Sequence, residues 1–79
     1  MKVSVKLLAT YRKLLPEGAT GNTCIIEIPD DSSYTAVLAY FKLENDEASV
    51  TLVNGRTPDP QDRLSEGDAV CIFPSMAGG

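Results

Sequence analysis

Near its C-terminus the chain reads Ala69-Val-Cys-Ile-Phe73, an apolar run rich in the β-branched and aromatic residues that favour strands. Side chains alternate between the two faces of a strand, so Val70 and Ile72 share one face and Phe73 lies on the other. We assign Val70 and Ile72 to the core, and Phe73 to an open sheet face. Pro74 follows at once. The run is therefore predicted to be the last strand, and it leads into a short tail.

The N-terminal part of the chain predicts two further strands. Residues Lys2–Ala9 alternate apolar and polar side chains with a period of two, as in a strand with one buried face. A second strand, Thr23–Ile28, is closed by Pro29 and is expected to run antiparallel to the first. We expect the first and last strands to be central neighbours in a mixed sheet.

One amphipathic helix is predicted between Ser33 and Leu43. Residues 30–33 read Asp-Asp-Ser-Ser and offer side-chain oxygens and negative charge where the first helical N–H groups lack partners. The residues that then recur at helical spacing, and that form the predicted core stripe, are Tyr34, Val37, Leu38 and Phe41.

A fourth strand is predicted at Val50–Val53, followed by a tight reversal at Asn54-Gly55. This dipeptide is a strong hairpin signal, because both central positions of a type I′ turn need positive φ. Leu64 is expected in the core, and residues 66–68, Glu-Gly-Asp, turn the chain into the last strand. The predicted order is β-β-α-β-β, with room for short pieces between these elements, and it indicates an α+β fold with a mixed sheet packed on one main helix.

Composition limits the classes of function. A chain of 79 residues is one domain with a small core. Its formal net charge of −4 argues against nucleic-acid binding and suits a basic protein partner, although acidic residues scattered in this way also simply solubilise a surface. No apolar stretch approaches the roughly 18 residues that span a bilayer, so no membrane association is expected.

The two cysteines and the missing histidine both argue against a metal site or a catalytic site within this chain. Cys24 and Cys71 lie in predicted strands, show no Cys-x-x-Cys spacing and follow no signal peptide. We interpret both as packed free thiols in a reducing cytoplasm. The chain contains no histidine, which removes the commonest general base and metal ligand.

The last two residues, Gly78-Gly79, indicate a function for the C-terminus. Glycine has no Cβ, so a tail that ends in two glycines can enter a narrow site in another protein. An α-carboxylate with a pKa of about 3.3–3.7 is ionised at neutral pH and is a poor electrophile, so reaction there needs activation, most simply as an acyl adenylate. The same glycines could also reflect chance or truncation. We expect Pro74 to end the hydrogen-bond ladder and direct residues 75–79 away from the body.

Four segments of the second half of the chain form a pattern that is specific through their order and spacing. They are Leu52-Val-Asn-Gly55, Leu64-Ser-Glu-Gly-Asp68, Val70-Cys-Ile-Phe-Pro74 and Ala77-Gly-Gly79. In this order they resemble the small subunits of molybdopterin synthase, a family of ubiquitin-like sulfur carriers. The resemblance covers nearly the whole chain. It departs from the common family pattern at Ser75 and Met76, where a second proline and a valine are frequent.

The resemblance implies a ubiquitin-like β-grasp domain over residues 1–74 and a flexible, extended tail over residues 75–79. It implies that an adenylyltransferase related to ubiquitin-activating enzymes uses ATP and Mg²⁺ to adenylate Gly79, which becomes a thiocarboxylate. The tail then enters a large synthase subunit and gives its sulfur to cyclic pyranopterin monophosphate, the precursor of a molybdenum or tungsten cofactor. No bound cofactor or catalytic side chain is expected in this chain. The residues expected to contact partners are Phe73, Pro74, Met76, Ala77 and Gly78.

Three alternatives stay open on the sequence. The first is a sulfur carrier for thiamine or for tRNA thiolation, and the second is a modifier that is conjugated to lysines through Gly79. The third is a non-catalytic adaptor that binds through its open sheet face, in which case the two glycines are incidental.

Overall fold

The computed structural model describes residues 1–75, and Met76, Ala77, Gly78 and Gly79 lie outside the described residues. The described part contains four strands, one α-helix and one 3₁₀ helix. In chain order these are β1 (Lys2–Leu7), the 3₁₀ helix (Ala9–Leu14), β2 (Thr23–Glu27), α1 (Tyr34–Tyr40), β3 (Ser49–Val53) and β4 (Ala69–Pro74).

The sheet is mixed and has the strand order β2-β1-β4-β3. β1 pairs antiparallel with β2 and parallel with β4, and β3 pairs antiparallel with β4. The prediction that the first and last strands are central neighbours is confirmed. In their parallel register Val5 lies opposite Val70, and Leu7 lies opposite Ile72.

The core lies between the inner face of this sheet and α1. Val70 and Ile72 are 1% and 0% exposed, which confirms their predicted inward direction. Leu64 is buried as predicted, and of the helical stripe Val37 and Phe41 are buried while Tyr34 and Leu38 are half-buried. The buried residues form one cluster: Val3, Val5, Leu7, Tyr11, Cys24, Ile26, Ile28, Val37, Phe41, Leu43, Leu64, Val70 and Ile72.

The helix is shorter than predicted at its C-terminal end. It begins after Ser33, whose hydroxyl accepts a hydrogen bond from the Thr35 N–H, but it ends at Tyr40 instead of Leu43. Lys42 adopts φ 61°, its N–H donates to Ala39 O, and the Leu43 N–H donates to Leu38 O at 2.8 Å. These bonds form a Schellman motif, which closes a helix with a residue in the left-handed region. Leu43 therefore stays in the core without being helical.

The first strand also ends early, and a short helix follows it as one of the short pieces for which the predicted order left room. β1 stops at Leu7, because Ala9 has φ 54° and begins the 3₁₀ helix. β2 ends one residue before the predicted Ile28, whose N–H still donates to Met1 O at 2.9 Å. The 3₁₀ helix places Tyr11 in the core.

The predicted reversal at Asn54-Gly55 is confirmed. Both residues have positive φ, 52° and 83°, and the N–H groups of Val53 and Arg56 each donate to the other residue's carbonyl. The segment after the turn does not continue as the partner of β3, however. Residues 57–68 form a loop, and the Asn54 side chain binds the N–H of Ala69 at 3.0 Å where β4 begins. The turn thus fixes the start of the strand that leads to the tail.

Candidate functional site at the root of the tail

Phe73 lies on the open sheet face, as predicted. Its cross-strand neighbour is Val50, and Leu52 lies opposite Cys71 on the same face. All four side chains are half-buried. We call these four residues the open-face patch; it is an apolar surface that reaches the point where the tail begins.

Pro74 does not end the hydrogen-bond ladder, so that prediction is wrong. Pro74 belongs to β4 opposite Ser49, and the Ser75 N–H still donates to Ala48 O at 2.6 Å. The reason is the side of the strand to which its nitrogen points. Residues with even numbers in β4 direct their backbone groups toward β1, as the bond from Leu8 N–H to Ile72 O shows. β1 has already ended there, so the missing N–H of proline interrupts only the pairing on that side.

Ser75 is attached to the loop before β3, and Asp46 organises that loop. Asp46 Oδ1 accepts a hydrogen bond from the Ala48 N–H at 3.0 Å, and its backbone carbonyl accepts from the Ser49 hydroxyl at 2.9 Å. The other carboxylate oxygen accepts from the Tyr11 hydroxyl at 2.7 Å. Tyr11 belongs to the 3₁₀ helix, so this bond joins the segment after β1 to the segment before β3.

The Tyr11 hydroxyl has an altered acidity in this setting. Burial of the ring, together with the hydrogen bond and the negative charge of Asp46, raises the pKa of Tyr11 to about 12 from an ordinary value of 10.0. The neutral phenol is thus the form that the folded protein favours. The resulting stabilisation is complete below about pH 10 and is lost as the pH rises through about 12.

This shift predicts a pH dependence of stability. Between about pH 10 and pH 12 the free energy of unfolding of the wild type should fall more steeply than that of Tyr11→Phe, which has no phenol to ionise at this position. Urea unfolding of both proteins across this range measures the difference. The control is Tyr40→Phe, which removes an exposed hydroxyl and should follow the wild type. Parallel curves for wild type and Tyr11→Phe would contradict the assignment.

The two cysteines remain free thiols. Cys24 is buried, and burial raises the pKa of its thiol, which disfavours the reactive thiolate. Cys71 is half-buried in the open-face patch.

Within residues 1–75 no group of three or more His, Cys, Asp or Glu side chains is placed to hold a metal ion. Among the same residues no helix is long and apolar enough to cross a bilayer.

Of the residues predicted from the sequence to form the site, the structure places two. Phe73 and Pro74 lie at the end of β4, whereas Met76, Ala77, Gly78 and Gly79 lie outside the described residues. Sequence reasoning missed Tyr11 and Asp46. The available signal was the spacing of Leu8, Tyr11 and Leu15 at i, i+3 and i+7, which indicates a helical turn after β1.

A mixed four-stranded sheet with parallel central strands and one covering helix defines a ubiquitin-like β-grasp domain. The chain belongs to the ThiS family, whose sequence profile matches residues 5–79. This membership makes it a relative of the ubiquitin-like sulfur carriers. Comparison with curated protein sequences gives no match.

Solved structures agree with this classification. The chain is 26% identical to the HVO 2177 protein of Haloferax volcanii, with a TM-score of 0.76 over 100% of this chain and 87% of the other. A proposed molybdopterin converting factor subunit 1 from Pyrococcus furiosus is 25% identical, with a TM-score of 0.74 over 95% and 98% of the two chains. Small archaeal modifier protein 1 of H. volcanii is 17% identical, with a TM-score of 0.68 over 95% and 98%, and this likeness concerns the fold alone.

Proposed function

We propose that this protein is the sulfur-carrying small subunit of a molybdopterin synthase. Its reactive group is the carboxylate of Gly79, which is adenylated, converted to a thiocarboxylate and used as the sulfur donor for cyclic pyranopterin monophosphate. The observation that carries the proposal is the ThiS family match, which extends through the terminal Gly78-Gly79 pair. The likeness to the Pyrococcus furiosus protein supports the choice of the molybdopterin pathway.

The position of β4 supports the proposal that the tail carries the Gly79 carboxylate into a partner's site. This central strand ends at Pro74, and residues 75–79 follow. Five extended residues span about 17 Å, which is long enough to carry a carboxylate away from the domain and into a partner's site. The partners then bind the folded domain while the tail reaches their sites, and the open-face patch with Phe73 supplies an apolar docking surface beside the tail.

The chemistry assigns the catalytic groups to the partners. A carboxylate oxygen of Gly79 attacks the α-phosphate of ATP and pyrophosphate leaves, after which a sulfur nucleophile attacks the acyl carbon and displaces AMP. The first step brings two anions together, so it needs Mg²⁺ and cationic side chains around the phosphates. This chain has a net charge of −4 and no phosphate-binding loop motif. In the proposed reaction the adenylyltransferase supplies those groups, and the large synthase subunit supplies the site for sulfur transfer.

The acceptor of the activated Gly79 distinguishes this proposal from its alternatives. The charged protein is incubated with a large synthase subunit and cyclic pyranopterin monophosphate, and molybdopterin formation is measured. A second sample is incubated with cell extract, and tryptic peptides are searched for lysines acylated by residues 64–79, because Arg63 is the last trypsin site of the chain. Molybdopterin formation without such peptides supports the proposal, whereas lysine conjugates without molybdopterin formation favour a modifier. Activity that survives deletion of Gly79 would favour an adaptor.

Gly78→Ala is expected to slow adenylation through steric hindrance. A methyl group beside the reacting residue displaces the carboxylate in a narrow channel, and we expect kcat/KM for adenylation to fall by about tenfold to a hundredfold. The free energy of unfolding should stay within about 0.5 kcal/mol of wild type. Pyrophosphate release measures the rate. Ser75→Ala is the control, because it keeps the backbone N–H that bonds to Ala48. Unchanged kinetics in Gly78→Ala would contradict a narrow channel.

A further inference from the structure

Three consecutive hydrogen bonds connect the 3₁₀ helix to the first residue of the tail. The Tyr11 hydroxyl donates to one carboxylate oxygen of Asp46, and the Ala48 N–H donates to the other. The Ala48 carbonyl then accepts from the Ser75 N–H at 2.6 Å. We propose that Tyr11 and Asp46 are positioning residues, which fix the place and direction from which the tail leaves the domain. This inference rests on the proposed function.

The hydrogen bond from the Ser75 N–H to the Ala48 carbonyl lies at the end of the ladder between β3 and β4. On the other side of β4, the pairing with β1 ends with the bond from Leu8 N–H to Ile72 O, and Pro74 has no N–H to extend it. Within residues 1–75, the Ala48 carbonyl is therefore the last ladder acceptor before the tail. Whatever orients Ala48 also orients Ser75.

Asp46 is well suited to orient Ala48. Its backbone N–H donates to Leu43 O, and its carbonyl accepts from both the N–H and the hydroxyl of Ser49. The carboxylate is thus fixed at its base, and its two oxygens bind Tyr11 and Ala48. Hydrogen bonds to an ionised acceptor are stronger than those between neutral groups.

Tyr11 holds the Asp46 carboxylate from the β1 side of β4, whereas Asp46 itself lies on the β3 side. Its side chain is only 7% exposed and belongs to the core cluster, so water does not readily replace its bond to Asp46. The 3₁₀ helix follows β1, and Asp46 precedes β3, so the pair spans the end of β4 between them. A fixed root reduces the freedom that the tail loses when it enters a partner's channel.

Three variants test the proposal. Tyr11→Phe keeps the ring and removes the hydroxyl, and Asp46→Ala removes both acceptor oxygens. Tyr40→Phe is the matched control, because it removes a hydroxyl from a ring that is 54% exposed. Amide hydrogen exchange by NMR is measured for Ser75 and for Leu8, whose N–H binds the other edge of β4. We expect Ser75 to exchange about twofold to tenfold faster in Tyr11→Phe, which corresponds to the loss of one hydrogen bond, and at least as fast in Asp46→Ala, which loses two, with Leu8 unchanged in both.

Steady-state charging by the adenylyltransferase supplies the functional readout. In Tyr11→Phe and Asp46→Ala the KM for the carrier should rise by about twofold to tenfold with kcat retained, because a Ser75 that is held less firmly costs more to order on binding. Unchanged Ser75 exchange, equal acceleration at Ser75 and Leu8, or an unchanged KM would each overturn the inference and leave the proposed function intact. A wild-type protein that is not charged at all would overturn both.

Discussion

A variant with one alanine added after Gly79 is expected to lose thiocarboxylate formation completely. The addition converts the Gly79 carboxylate into an amide, which cannot attack ATP, and it moves the new carboxylate one residue beyond the two glycines. Because the change lies after the last residue of the folded domain, the free energy of unfolding should stay within about 0.5 kcal/mol of wild type. The measurement is sulfur incorporation by mass spectrometry after incubation with the adenylyltransferase, ATP and a sulfur donor.

The matched control is one alanine inserted after Glu17, in the exposed loop between the 3₁₀ helix and β2. Surface loops tolerate such insertions, and this variant should be charged at the wild-type level. Intact mass establishes that the added residue is still present after the reaction. Charging of the extended protein with its extra alanine retained would show that the reactive group lies elsewhere.

Leu7→Ala is expected to cause the largest loss of stability among single core substitutions in β1. Leu7 is 0% exposed and lies opposite Ile72 in the central parallel pair, so truncation leaves a cavity that the rigid sheet cannot close. Substitutions of this kind lower the free energy of unfolding by about 2–5 kcal/mol. In a domain of this size each kcal/mol shifts the Tm by about 4–8 °C. Chemical and thermal unfolding measure the effect.

Leu14→Ala is the matched control for this prediction. It removes the same atoms from a leucine that is 38% exposed at the end of the 3₁₀ helix, and it should change the free energy of unfolding much less. If Leu7→Ala does not fold, Ile72→Val provides a milder probe of the same pair, with an expected loss of about 0.5–1.5 kcal/mol. Similar losses in Leu7→Ala and Leu14→Ala would contradict the assignment of the core.

The sequence predicts the parts of this fold that local patterns determine. Apolar runs and strand alternation together identify all four strands, and alternation assigns Val70 and Ile72 correctly to the core, because burial of one sheet face imposes a period of two. The Asn54-Gly55 pair identifies its turn, because few other residues accept positive φ at both positions. The central pairing of β1 with β4 follows from the β-grasp order of elements.

Other features depend on contacts that local patterns do not encode. The helix ends in a Schellman motif with Lys42, not glycine, in the left-handed region, so the usual stop signal is absent. The effect of Pro74 depends on which neighbouring strand its nitrogen faces, and that follows only from the register. Tyr11 and Asp46 are 35 residues apart in sequence, and their hydrogen bond exists only after the sheet has assembled. The root of the tail is therefore the part of the site that required a structure.

The most direct test of the central claim is the location of sulfur in the charged protein. The protein is incubated with an adenylyltransferase, ATP and a sulfur donor, and the C-terminal peptide is fragmented in the mass spectrometer, with a Gly79 deletion as control. Localisation is essential, because oxidation of Met76 gives nearly the same mass gain as replacement of one oxygen by sulfur. The account predicts sulfur on the carboxyl group of Gly79 and none in the deletion variant. An unmodified Gly79, under conditions that charge an authentic sulfur carrier, would contradict it.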